Sequence, residues 1–318
     1  MISGDRPALL VTGVLAVFFG ISAFSYFGRY RLPLHSELAL YCCLLLLLIY
    51  AALPASRYRL GLSPLTTLAV WLVPYFIYAA GTGDFRWPAL ARLLAVCAPP
   101  LVVYCAAPVR NRDALSWQDA LAWAWLTLAV VLRQLNGIWN VPASLDFMAR
   151  LFVMAVASWC WVLVRPVPGL GYDFHVSLRT LRAAALNFAG FAAIAIPVGF
   201  ALRFAGWNPR WRGPAAFLES YVEILVFIAW LEELFFRGFL QSLLSRGLRS
   251  EIRGRIGASV AFGLSHVLLA PAPNWRYVAL ASIAGWFYGS AFRQGGNLVA
   301  PALTHALVDT VWRTWLTR

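Results

Sequence analysis

The sequence predicts an all-α, polytopic integral membrane protein, a helical bundle with about 9–11 membrane helices. Three observations carry that expectation. Hydrophobic residues make up 61% of the 318, and mean hydropathy is +0.71, well beyond the usage of an ordinary soluble domain. Charged residues are only 12%, and they gather between apolar runs. Many of those runs approach the roughly 20 residues a helix needs to cross the hydrocarbon core, and none shows the period-2 alternation of a barrel strand.

The apolar runs, in order, are 8–27, 36–53, 64–80, 88–107, 119–138, 147–164, 183–206, 215–240, 254–270, 276–291 and 297–315. Only Arg6 precedes the first, and no small-residue cleavage site follows it, so it reads as a retained span and not a signal peptide. Arg29 and Arg31 part it from the second run, and Arg57 and Arg59 part the second from the third. Arg110 and Arg112 close the fourth. In the fifth, Arg133 with Asn136 and Asn140 marks a helix end. Arg210-Trp211-Arg212 and the numerous Trp and Tyr residues at run ends read as interfacial anchors. The shorter late runs are expected to tilt, re-enter or pack inside protein.

Net charge is +13, and every basic residue is Arg, which removes Schiff-base and lysine-base chemistry and points to a high-GC, bacterial genome. The arginines sit in loops, the largest group being Arg246, Arg249, Arg253 and Arg255, as expected of segments facing an anionic cytoplasmic leaflet. No soluble region is long enough to carry a nucleic-acid-reading face, so no nucleic acid is expected as a partner. All five cysteines (Cys42, Cys43, Cys97, Cys105 and Cys160) fall in N-terminal apolar runs, read as small buried hydrophobes and not as zinc or nucleophilic thiolates. The Pro- and Gly-rich stretch 165–171 divides the chain into an N-terminal multi-span module, 1–165, with almost no buried charge beyond Arg133, and a C-terminal module, 180–318, which holds the candidate chemistry.

That chemistry begins with Glu232 and Glu233 in Trp230-Leu231-Glu232-Glu233-Leu234-Phe235-Phe236-Arg237. Carboxylates at membrane depth are costly, and their default reading is functional. Glu233 and Arg237 are four apart and share a helix face, so they can pair; Glu232 is turned about 100° away and stays free as a base. His266 lies on the run beginning at 254, where it could share a proton or a water with Glu232. His305 and Asp309 are again four apart. His35 and His175 lie in polar connections. A Glu–His pair activating water, opposite a polar pair stabilising an oxyanion, suffices for peptide-bond hydrolysis. Taken singly, each group has a bland reading: an interfacial helix end for the glutamates, a satisfied core histidine for His266, and a structural pair for His305 with Asp309.

Taken in order, Glu-Glu-x-x-x-Arg (Glu232, Glu233, Arg237), Phe-x-x-x-His (Phe262, His266) and His-x-x-x-Asp (His305, Asp309) resemble the type II CAAX-prenyl-protease and bacteriocin-processing family of intramembrane proteases, also called Abi or CPBP. The flanks Arg237-Gly238-Phe239-Leu240-Gln241, Tyr288-Gly289 and Asn297-Leu298-Val299-Ala300-Pro301 agree, and the resemblance covers roughly 180–318. It implies catalytic roles for Glu232, His266, His305 and Asp309, with Glu233 and Arg237 supporting the site. Glu232 would activate water with help from His266, and His305 with Asp309 would stabilise the oxyanion. Some family members carry Asn at the last position, where an amide can donate; Asp309 donates only when protonated, and otherwise orients His305 or binds a metal. Two chemistries therefore fit, a metal-free glutamic mechanism and a metalloprotease in which Glu232, His266 and His305 hold a divalent ion such as zinc.

The implied enzyme is an endopeptidase in the bacterial inner membrane, acting on a membrane-anchored protein or peptide within the lipid bilayer, by C-terminal tail or leader processing. The alternative is a non-proteolytic membrane protein such as a proton-coupled transporter or scaffold, since intramembrane Glu and His also relay protons. Against it, the polar residues occupy one half only, without the paired symmetry of transporters.

Overall fold

The computed structural model describes residues 13, 14, 17, 30–56 and 61–316, so the first expected span, 8–27, lies almost wholly outside the described residues. The architecture is a polytopic helical bundle, with no strand among the described residues. The chain divides into two compact units, Met1–Arg110 with Ser116–Pro166, and Asn111–Leu115 with Val167–Arg318.

In the first unit α1 (Leu34–Ala52) packs on α2 (Pro64–Thr82) and on α5 (Asp146–Ser158), while α3 (Trp87–Ala106) packs on α2 and on α4 (Trp117–Val131). Side-chain oxygens satisfy otherwise unpaired N–H groups at two helix starts: Ser63 accepts from Thr66 in α2, and Ser116 and Asp119 form a reciprocal capping box in α4. The buried charge of this unit is not Arg133, which is exposed in the left-handed conformation just past α4. It is Arg165, whose guanidinium holds the Asp119 carboxylate at 3.0 Å, with Tyr104 also donating to it. Both partners stand at helix ends, where hydrophobic periodicity gives no sign of burial. His35 falls in the first turn of α1 and not in a connection. Of the cysteines, Cys43, Cys97 and Cys160 are buried, while Cys42 and Cys105 are exposed.

In the second unit α6 (Leu178–Ala201) starts at a Ser177–Thr180 capping box. Next comes a 34-residue helical rod, α7 (Pro214–Gly247), about 50 Å long at 1.5 Å per residue and so longer than a bilayer core. It is not uniform: wider π-type turns at Leu225–Ala229 and Leu234–Gln241 flank the single turn Trp230–Glu233. Such turns redirect side chains and concentrate at functional sites. α8 (Glu251–Leu264), α9 (Trp275–Gly295) and α10 (Val299–Val311) complete the unit, and α9 packs on α6, α8 and α10.

Small residues let these helices approach closely. A methyl group built on Gly285 of α9 would stand 2.9 Å from the Cα of Ser259 on α8. The start of α10 is fixed from outside the helix. The Asn297 amide donates to Asp173 Oδ1 (2.7 Å) and to the His175 carbonyl (2.8 Å), while Leu298 N–H donates to the Gly171 carbonyl.

Six helical stretches among the described residues are long and apolar enough to cross a membrane: Leu34–Ser56, Pro64–Thr82, Trp87–Ala106, Asp146–Val164, Leu178–Ala201 and Pro214–Gly247. The runs read at 119–138 and 254–270 contain α-helices of only 15 and 14 residues, and the run at 297–315 one of 13 residues continued by a π-type turn to Leu316. Helices of that length suit burial within protein better than a full crossing. The run at 276–291 gives the 21-residue α9, which packs through Gly and Ala and is not apolar enough for lipid.

Candidate active site

Glu232 and Glu233 occupy the one regular turn between the two π-type stretches of α7. Glu233 is wholly buried, and its Oε1 accepts from Arg237 Nη1 at 3.1 Å, the i,i+4 pairing the sequence predicts. Arg237, itself wholly buried, also donates to the Gly285 carbonyl of α9. Its guanidinium lies 4.4 Å from the centre of the Phe262 ring and 5.0 Å from that of Tyr288. Aromatic faces and one carboxylate therefore replace water around this cation.

Glu233 has a second partner that sequence spacing does not reveal. Its Oε1 accepts from His305 Nδ1 at 2.8 Å, joining α7 to α10. Because an ionised carboxylate paired with Arg237 only accepts, Nδ1 carries the proton and Nε2 faces away. There Nε2 meets Asp309 Oδ2 at 3.5 Å and Glu232 Oε2 at 3.9 Å. Both distances exceed a direct hydrogen bond and match the separation a bridging group can span. The Glu232 carboxylate is thus free of Arg237, as expected, and its buried Oε2 has no hydrogen-bond partner among the described residues.

His266 departs from its expected setting. α8 ends at Leu264, and His266 sits in the turn that follows, ahead of Pro271 and Pro273, which cannot continue a helix. Its Nδ1 donates to the Phe262 carbonyl at 2.8 Å, which leaves Nε2 as the acceptor nitrogen of the neutral ring. Among the described residues no hydrogen bond joins it to Glu232 or His305.

Aromatic rings fix both imidazoles. Tyr288 stacks on His305 with centroids 4.6 Å apart and planes 16° from parallel. Phe262 meets His266 edge-on at 4.8 Å and His305 at 5.8 Å. Tyr277 leans on the other side of the site, 4.8 Å from His266. The roles of Phe262, Tyr277 and Tyr288 escaped the sequence reading. The available signals were the four-residue spacing of Phe262 and His266 and the spacing of Tyr277 and Tyr288, which at about three helical turns puts both on one face of α9.

Of the three residues named as possible metal ligands, Glu232, His266 and His305, the two histidines have other partners among the described residues. His305 Nδ1 is committed to Glu233, and His266 stands apart on its own turn. Among the described residues no group of three or more His, Cys, Asp or Glu side chains is placed to hold a metal ion.

Residues 214–311 match the family model described as Type II CAAX prenyl endopeptidase Rce1-like. The matched stretch runs from the start of α7 to the end of α10 and contains Glu232, Glu233, Arg237, His266, His305 and Asp309. No curated protein and no solved structure matches the chain.

Proposed function

We propose that this chain, which through residues 214–311 belongs to the type II CAAX prenyl endopeptidase Rce1-like family, hydrolyses a peptide bond of a membrane-associated substrate by a water that Glu232 activates. As a multi-pass membrane protein of a protease family, it meets its substrate in the bilayer. The observation that carries the reading is the contrast between two adjacent carboxylates. Glu233 is bonded to Arg237 and His305 through Oε1, while Glu232 bonds to neither and is turned to the Nε2 side of His305.

The chemistry follows from those positions. Glu232 takes a proton from water as the oxygen adds to the substrate carbonyl carbon, with His266 Nε2 holding that water as acceptor. His305, in its doubly protonated form, donates from Nε2 to the oxyanion while Nδ1–H stays on Glu233. Asp309 orients the imidazole from the Nε2 side. Collapse of the tetrahedral adduct breaks the C–N bond, and the proton on Glu232 passes to the leaving amine, giving a carboxylate and an amine. General-base catalysis and an oxyanion donor each contribute about 10²- to 10³-fold, within the range such groups supply.

The family's name points to cleavage at prenylated C-terminal tails. In a bacterial inner membrane, as the all-arginine composition suggests, leader removal or processing of a C-terminal sorting tail is the corresponding reaction on a hydrophobic or lipidated terminus. The test compares wild type, Glu232→Ala and His266→Ala in the native host by mass-spectrometric profiling of protein N- and C-termini. Termini present only with wild type, at equal protein abundance, support proteolysis and name the substrate. Identical termini in all three strains contradict it.

A further inference from the structure

The proposed oxyanion site is short of donors. Asp309, as a carboxylate, only accepts, and backbone N–H groups of α10 around His305 are engaged in the helix, which leaves His305 Nε2 as a lone donor. Acyl-transfer sites ordinarily aim more than one donor at the developing charge. Tyr277, whose ring packs on that of His266, is the candidate for a second.

Three observations on Tyr277 converge. Its ring is held on two sides, by His266 at 4.8 Å and by Phe204 at 5.3 Å. Its backbone N–H donates to the Asn274 side chain that caps α9, so the residue sits in the first, anchored turn of its helix. Its hydroxyl makes no hydrogen bond among the described residues. A tyrosine hydroxyl that makes no bond within the protein is free to donate to a bound group. Here the ring is clamped while the hydroxyl is left to something the protein does not itself supply.

We propose that Tyr277 is a further catalytic residue, whose phenolic O–H donates to the substrate carbonyl oxygen as it becomes the oxyanion, alongside His305 Nε2. No proton leaves the phenol: the O–H bond stays intact, and the hydrogen bond shortens as charge develops. The inference rests on the hydrolytic reading above.

The test expresses the full-length protein in a host strain lacking it, as wild type, Tyr277→Phe, Tyr277→Leu and Glu232→Ala. The rate at which enzyme-dependent termini appear after induction is measured by mass spectrometry. Phe keeps the ring against His266 and Phe204, so a merely structural role is unmoved by Tyr277→Phe and disturbed only by Tyr277→Leu. The expected result is a rate at least about tenfold lower for Tyr277→Phe at unchanged abundance and melting temperature. A Tyr277→Phe rate within about twofold of wild type, with Glu232→Ala inactive, overturns the role of Tyr277 and leaves the protease reading standing. Termini unchanged by Glu232→Ala overturn both.

Discussion

Glu233 Oε1 and His305 Nδ1 lie 2.8 Å apart across 72 residues of sequence, and this bond, with the Glu233–Arg237 pair, ties the rod carrying both glutamates to the final helix. It assigns the two glutamates different tasks. Glu233 holds Arg237 and His305, and under the hydrolytic proposal Glu232 does the chemistry. Function and stability should therefore separate between neighbouring positions.

Replacing Glu232 tests the chemical half. Glu232→Gln and Glu232→Ala are expected to lower cleavage by at least about 10²-fold, with abundance and melting temperature close to wild type, because no hydrogen bond or Arg pairing is lost. Terminus profiling and a thermal-shift assay in detergent measure the two properties side by side.

Replacing Arg237 tests the structural half. Arg237→Ala leaves the buried Glu233 carboxylate with His305 as its only bonded partner among the described residues, and breaking a buried pair costs about 3–5 kcal/mol. A large fall in melting temperature and in membrane abundance is expected, and it should exceed that of Glu232→Ala. Arg237→Lys is expected to rescue only partly, since an ammonium lacks the planar fork that serves both Glu233 and the Gly285 carbonyl.

Asp309 separates orienting from donating. Asp309→Asn replaces an acceptor-only carboxylate by an amide that can donate beside His305 Nε2, and it is expected to keep activity within about tenfold of wild type. Asp309→Ala removes the contact to Nε2 and is expected to lose more. Initial rates on the substrate identified by terminus profiling give the ranking.

α8, which ends just before His266, and α9, which carries Tyr277, approach closely at Ser259 and Gly285. Gly285→Ala would bring a methyl to 2.9 Å from Ser259 Cα, which is backbone and cannot swing aside. Overpacking of this kind costs about 1–3 kcal/mol. A lowered melting temperature is expected, accompanied by slower cleavage as α9 is pushed from α8.

Much of this was legible in the sequence because it is local. Glu233–Arg237 and His305–Asp309 are each one helical turn apart, and helical geometry alone puts each pair on one face. The Glu233–His305 bond was not legible, since it depends on how α7 and α10 lie against each other. The Asp119–Arg165 pair was missed for the same reason. His266 was read as helical although Pro271 and Pro273 lay close behind it, and the structure ends that helix at Leu264. Short runs were read as spans because hydropathy marks burial without telling lipid from protein. The π-type turns around Glu232 and Glu233 left no mark in the pattern of residues.

The central claim is that Glu232 activates the hydrolytic water, and purified full-length protein reconstituted in liposomes tests it most directly. Wild type and Glu232→Gln would be given the peptide that terminus profiling identifies, and the new carboxyl and amino termini quantified over time. Cleavage by wild type with at least about 10²-fold slower cleavage by a folded Glu232→Gln protein is the result the account predicts. Equal rates for the two proteins would contradict it.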